Sequence, residues 1–300
     1  MKRKVIKQAN QAFTITLPIN WARENRINKD SEVDVEISGK SLIINSKASH
    51  QGKSTKIDLN GLKDKEIYRN IVALYAQGVD EIKITVNRDV SSTITKCLNS
   101  LIGYALVLQE DDLYVIKDIN QGNYSNLDEI FKRIFQMILI FYDAAIKDVF
   151  GNEKETSESL RARDNEVNKF CLYLQRAINK ISYDDQVKAR TIFTYSFELE
   201  KISDEIERFW RANIGQNIKK TEEMKKLVEL SKEALGKAFD LYFQFNNKKI
   251  NEIYELRNSL REKSDKIKKT DAITTRFIRH MVKISEEAAD LTHLTLIKNL

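Results

Sequence analysis

Acidic side chains four residues apart on one helical stretch are the first feature of this 300-residue chain that could carry chemistry. The stretch is Glu198–Trp210, Glu-Leu-Glu-Lys-Ile-Ser-Asp-Glu-Ile-Glu-Arg-Phe-Trp. Leu199, Ile202, Ile206 and Phe209 recur at helical spacing. Glu200 and Asp204 therefore project from one helix face, where two carboxylates can converge on a metal ion. The same acids could equally be solvated and paired with Lys201 and Arg208. An echo lies near the C-terminus: Leu199-Glu-Lys-Ile-Ser-Asp sits in register over Met281-Val-Lys-Ile-Ser-Glu, with Met281, Ile284, Ala288 and Leu291 again at helical spacing. A repeat of this kind predicts a duplicated three-helix unit.

Other chemistry-bearing residues form no constellation. His50, His280 and His293 lack metal-ligand spacing and are expected in core or surface roles. Cys97 and Cys171 make no CxxC motif, so free thiols in a reducing compartment are expected. No nucleophile–base pair accompanies the acids, and the inward Glu-x-x-His ligands of di-iron bundles are missing, so the chain is not expected to be an enzyme.

The elements that must position the acids follow from composition. A single proline, Pro18, and 31% charged residues are what long helices look like. Net charge is +6, and residues 1–54 hold ten Lys/Arg against five Asp/Glu, which places nearly all the excess in the first sixth of the chain. A local basic excess points to an anionic partner. The N-terminus lacks the apolar core of a signal peptide, and the most apolar stretch, Ile134–Ile146, is too short to span a bilayer. A soluble, cytoplasmic protein that does not span a membrane is expected.

The first fifty residues alternate in period two at Arg3–Gln8, Phe13–Leu17, Glu32–Ile37 and Leu42–Ile44, with a short helix after Pro18 and turns at Asn28–Ser31 and Ser38–Ser41. Such a β-β-α-β-β unit is too small to bury a core alone, so dimerisation by interleaved strands is expected. Thr16-Leu17-Pro18, then Trp21, then Asp30-Ser31-Glu32-Val33 and Gly39-Lys-Ser-Leu-Ile-Ile resemble the swapped-hairpin DNA-binding domain of AbrB/SpoVT-type regulators. Where that family has turn glycines, this chain has Ala9-Asn10 and Lys29. The resemblance implies DNA contacts from Arg3, Lys4 and Lys7, and from Arg23 and Arg26 on or after the helix. Gln8, Asn10 and Gln11 in the loop would read base edges.

Residues 55–120 predict a small α/β sandwich: a strand at Lys56–Leu59, a helix over Asp64–Gln77 ended by Gly78, a strand at Glu81–Val86, a helix over Ser91–Ile102 capped by Ser91 or Ser92, and strands at Ala105–Gln109 and Leu113–Ile116 around a Glu110-Asp-Asp turn. No glycine-rich phosphate loop appears in it, and a spacer or dimerisation role is favoured over a sensor pocket.

Residues 121–300 predict six helices: Asn126–Phe150, Lys154–Ile181, Gln186–Asn213, Thr221–Phe245, Ile250–Lys268 and Ala272–Leu300. Two antiparallel three-helix units, about 121–215 and 216–300, result. The motif Leu199-Glu200-Lys201-Ile202-Ser203-Asp204 and the stretch Asp164-Asn-Glu-Val-Asn168 resemble PhoU-type phosphate-uptake regulators, built from two three-helix repeats. The resemblance implies a divalent metal ion held by Asp164, Asn168, Glu200 and Asp204, with Asn168 standing where the family has an acid. In the second copy Val282 replaces the motif Glu and Glu286 its Asp; Ser264 and Lys268, or an earlier stretch near Arg257 and Arg261, fall at the second-helix positions. The second site is expected to be lost.

Together these readings predict a multidomain α+β protein: a swapped-hairpin domain over 1–50, an α/β domain over 55–120 and a PhoU-like bundle over 121–300. The function they imply is a phosphate-responsive DNA-binding regulator, dimeric through its N-terminal domain. Its expected protein partner is the ATPase subunit of a phosphate transporter or a sensor kinase. The alternative is a cytoplasmic adaptor that inhibits the transporter without touching DNA.

Overall fold

The structure, a computed structural model, describes residues 2–8, 12–38, 41–46, 52–120, 127–151, 157–180, 186–216, 218, 220–267 and 271–300. It divides into two compact units, Met1–Gly52 and Lys53–Leu300. The architecture is α+β, with small sheets and a C-terminal region of six long helices.

The first unit holds two antiparallel hairpins separated by one helix turn and a half. β1 (Ile6–Gln8) pairs with β2 (Ala12–Thr14), α1 spans Ile19–Glu24, and β3 (Val33–Ser38) pairs with β4 (Ser41–Ser46). The first two strands are shorter than the alternation predicts, because the ladder stops at Ile6↔Thr14 and the residues beyond it have no partner strand among the described residues. Pro18 starts α1, its carbonyl accepting the Ala22 N–H at 2.9 Å. The left-handed turn positions are Arg26 (φ 54°) and Asp30 (φ 72°) rather than Lys29; Asp tolerates that region better than most residues. Asn25 ties the helix to the second hairpin: its Nδ2 donates to the Trp21 carbonyl at 2.9 Å and its Oδ1 accepts from the Ser46 hydroxyl at 3.2 Å. Among the side chains described in this unit only that of Ser46 is buried.

In the second unit a four-stranded sheet has the order β5-β6-β8-β7, from β5 (Ser54–Asp58), β6 (Glu81–Thr85), β7 (Tyr104–Gln109) and β8 (Leu113–Asp118). β5 and β6 are parallel and joined through α2 (Asp64–Ala76); the other pairings are antiparallel. Ile67, Ile71 and Tyr75 of α2 pack with Ile82, Ile84, Ile116 and Ile94 of α3 (Ser91–Leu98). Leu74 of the same helix is only partly buried. Neither serine caps α3; Val90 holds the cap position, and Asp89, two residues before Ser91, accepts the Ser91 N–H on its Oδ1 at 2.8 Å. A short carboxylate side chain at that point reaches the same orphan donors as an N-cap serine.

The helical region comprises α4 (Leu127–Phe150), α5 (Ser157–Lys180), α6 (Gln186–Asn213), α7 (Glu222–Phe243), α8 (Asn247–Lys266) and α9 (Ala272–Asn299). α4, α5 and α6 pack on one another, as do α7, α8 and α9; α6 lies against α9 and α4 against α7. One apolar core runs through all six. The Phe131 and Tyr242 rings stack at 4.0 Å, with Tyr195 edge-on to both, so the aromatic run of α7 serves packing. Tyr142 donates to the Val228 carbonyl at 3.0 Å and Tyr195 to that of Leu291 at 2.8 Å, pinning the two groups of helices together. Thr221 and Asp271 cap α7 and α9. α8 begins three residues before the expected Ile250, because Asn246 caps it and accepts the Lys248 N–H at 2.9 Å. Among the described residues no helix is long and apolar enough to cross a membrane.

Arg176 of α5 joins the sheet module to the helices. Its side chain is fully buried. Nη1 donates to the carbonyls of Tyr75 (3.0 Å) and Val79 (2.7 Å), and Nη2 to Asp80 (3.0 Å) and Asp118 (2.7 Å). The guanidinium lies 4.9 Å from the ring centroids of Tyr75 and Tyr104. Gly78 makes room at this junction: it is left-handed (φ 79°), and a Cβ there would sit 2.8 Å from Lys180 Cγ.

Candidate functional site

The acids of α5 and α6 do meet. Asp164 is 9% exposed, and its two oxygens accept from the Ser203 hydroxyl at 2.7 Å and from Asn168 Nδ2 at 3.1 Å. Burial raises the Asp164 carboxyl above the usual range, and the charges of Asp204 and Glu207 push the same way against the two hydrogen bonds. Glu200, one turn before Asp204, is raised by burial and then by Asp204 and Asp164. Asp204 itself is drawn to Arg208 Nη2 at 2.6 Å. Lys201 pairs with Glu198 at 2.7 Å rather than with either acid of the expected pair.

Asn168 Oδ1 is buried and has no hydrogen-bond partner among the described residues. An unsatisfied carbonyl oxygen beside two carboxyls of raised pKa has the donor type and the charge that a hard cation needs. Three of the four expected ligands, Asp164, Asn168 and Glu200, fit on that ground; Asp204 is committed to Arg208. Among the described residues no three His, Cys, Asp or Glu side chains converge as a ready cage. A bound ion would be held by the side-chain oxygens of Asp164, Asn168 and Glu200 and would supply positive charge beside these carboxyls. Cys171 and Cys97 are buried, which pushes the first thiol well up and the second to about 12, so neither is a reactive thiolate.

The second copy looks different. Glu286, in register with Asp204, is held by Arg261, whose Nε and Nη2 donate to Oε1 at 3.0 and 2.5 Å. Ser264 is buried and donates to the Arg261 carbonyl. Val282 is partly buried against the core. Lys268 lies outside the described residues.

A neighbouring cluster was not singled out by sequence. His280 is 2% exposed, and its Nδ1 lies 2.6 Å from Glu205 Oε1. Burial would raise Glu205, but the hydrogen bonds from His280 and Arg208 more than offset it and hold the carboxyl low. Glu287, facing the same side from α9, is pushed up to about 7, chiefly by burial and despite Lys283, with Glu205 and Glu198 adding to the rise. Glu205 stands next to Asp204 in sequence, yet its place on the buried side against α9 is what gives it a partner.

In the N-terminal unit Arg3, Lys4, Lys7, Gln8, Arg23 and Arg26 are all exposed. Lys7 and Gln8 sit on β1, Arg23 on α1 and Arg26 in the turn after it. Asn10 and Gln11 of the expected reading loop lie outside the described residues. The same unit exposes Phe13 (73%) and Ile37 (72%), with Val35, Ile19 and Leu42 at 58–60%.

Comparison of the chain with protein-family models, with curated proteins and with solved structures finds no match.

Proposed function

We propose that the chain is a DNA-binding regulator of phosphate uptake that works as a dimer. The observation that carries this reading is the N-terminal unit, where basic side chains on a short hairpin and helix share a fifty-residue unit with eight large apolar side chains left in water, among them Phe13, Ile19, Val35, Ile37 and Leu42. An apolar surface of that density on a fifty-residue unit calls for a cover of the same shape. A second copy, interleaving its hairpins, supplies one and doubles the basic surface along a two-fold axis. Arg3, Lys4, Lys7, Arg23 and Arg26 then neutralise phosphates, and Gln8 and Asn10 read base edges. The AbrB/SpoVT-like order of residues in this segment supports the assignment.

The regulatory half rests on the PhoU-like motif at Leu199–Asp204 and its echo at Met281–Glu286 in two mutually packed groups of three helices. In this reading a divalent ion binds at Asp164, Asn168 and Glu200, and a phosphate transporter's ATPase subunit or a sensor kinase is the protein partner. Contacts with that partner favour one placement of the DNA-binding arms over another.

A mobility-shift titration across salt tests the DNA claim. Affinity should fall linearly on a log–log plot with a slope of about −0.9 per neutralised phosphate, and Arg3→Gln with Lys7→Gln should make the slope shallower. Absence of binding to both operator and random DNA at low salt would sink it. If a chain lacking residues 1–52 keeps full regulation of the transporter, the protein is an adaptor instead.

A further inference from the structure

α6, α8 and α9 line an open cleft of about 900 Å³. Arg208 and Arg211 reach it from α6, Arg261 from α8, and Arg279 and Lys283 from α9; the facing acids are Glu205, Asp265 and Glu286. Several guanidinium donors are uncommitted. Arg211 gives only Nη2 to Glu207, and Arg261 gives Nε and Nη2 to Glu286, leaving Nη1. Arg279 is exposed and has no ion-pair partner among the described residues. Guanidiniums with spare N–H groups lining one space favour phosphate oxygens, which they bind through two parallel hydrogen bonds.

The cleft is also too roomy for a lone inorganic anion, and part of its wall is apolar: Ala212, Ile278 and Val282. Clefts of several hundred cubic ångströms with an apolar wall and a few convergent polar groups suit organic ligands. Register sharpens the point. Val282 and Glu286, which overlay Glu200 and Asp204 in sequence, line this cleft, and so do Ser264 and Arg261, the residues that the two alternative overlays bring to the second-helix positions. Where one copy has Glu200, the other has Val282, and arginines outnumber the acids that line the cleft.

We propose that this cleft binds a nucleotide polyphosphate, its phosphates on Arg211, Arg261 and Arg279 and its nucleoside against Ala212, Ile278 and Val282. The inference is independent of DNA binding and of any metal at Asp164, because it draws only on the charge and shape of the cleft.

Calorimetric titration of the full chain with ATP, without added divalent ion, tests it. ATP should bind one per chain, with adenosine and inorganic phosphate each at least about tenfold weaker. The double variant Arg211→Gln, Arg279→Gln should weaken ATP by at least about tenfold, the scale of losing charge-assisted contacts. Val282→Glu should abolish binding while leaving every arginine in place. Arg3→Gln with Lys7→Gln, which thins the basic N-terminal arm, should leave ATP affinity unchanged. No ATP binding at millimolar concentration would overturn the proposal. So would affinity that ignores Arg211, Arg279 and Val282, affinity that vanishes with the N-terminal pair, or tripolyphosphate binding as tightly as ATP.

Discussion

The two units of this chain solve the problem of apolar side chains in opposite ways. Residues 53–300 bury theirs: Ile67, Ile71 and Tyr75 under the sheet, and a continuous core from Leu127 to Leu291 through six helices. Residues 1–52 alternate as cleanly in sequence, yet Phe13, Val35, Ile37 and Leu42 remain in water. Two-stranded hairpins have one layer, and a layer needs another to bury its face. The difference is that the larger unit buries its apolar side chains within one chain, whereas the smaller one leaves them exposed, the feature on which the proposed dimer rests. Changes that damage the larger unit should therefore act on folding, and changes in the smaller unit on association.

The largest effect should come from Arg176. Replacing it with Met leaves Asp118, whose side chain is 4% exposed, without its 2.7 Å partner, together with the Tyr75 and Val79 carbonyls. Breaking a buried pair from one side costs about 3–5 kcal/mol, which in a unit of this size lowers the melting temperature by roughly 10 °C. Calorimetry should show the sheet module and the helices losing stability together. An unchanged melting curve would mean the two are not joined through this guanidinium.

A smaller loss should follow Ser203→Ala, which strips the 2.7 Å hydrogen bond from the buried Asp164 carboxyl and costs about 1–3 kcal/mol. Asp164→Asn should cost much less, since burial already favours the neutral acid there and Asn168 can turn its orphaned Oδ1 toward the new amide. Added manganese separates the readings of this site. If an ion binds Asp164, Asn168 and Glu200, it should raise the melting temperature of the native chain and not that of Asp164→Asn.

Smaller still is a pH effect at Glu287. Its folded carboxyl titrates at about 7 against an ordinary 4.5. The folded chain thus keeps a proton that the unfolded chain has released, and stability from this group falls as pH rises between those values. Burial sets that position first, with Lys283 on its own helix opposing the rise and Glu205 and Glu198 from α6 adding to it. Glu287→Gln should melt with the native chain near pH 5 and above it at pH 8. Equal melting at both pH values would show that the carboxyl is not held protonated.

The sequence discloses local order well and long-range pairing poorly. Helical spacing marks α6 at Gln186–Asn213 to the residue, and Thr221 and Asp271 announce two helix starts. What it hides is set by partners far along the chain. Arg176 looks like any helix-surface cation, since the groups that make it a buried junction stand 58 to 101 residues away. The cationic cleft draws on three helices, and no one of them is unusual alone. The Glu200–Asp204 spacing reveals a shared face, and Arg208, four residues beyond Asp204, offers the pairing that Asp204 takes up, whereas Lys201 goes to Glu198 instead. Strand length in the first unit escapes for a related reason: alternation fixes the face of a residue, while the ladder's end depends on where the partner strand stops.

The smallest effect on melting, and the sharpest test of the contrast, belongs to the N-terminal unit. Phe13→Glu and Ile37→Glu replace side chains that are 73% and 72% exposed. Exposed substitutions change stability by about 0.5 kcal/mol or less, so the unfolding of residues 53–300 should not shift. If a second copy covers these side chains, a buried glutamate on each side of the two-fold axis becomes an unpaired charge in the new interface, which association cannot tolerate. Light scattering should then report a monomer, and DNA affinity should fall by at least about tenfold because two linked half-site grips become one. A dimer that survives both substitutions would mean the hairpins' apolar faces are not what joins the chains, and the larger unit, with its core already closed, would have to supply the contact.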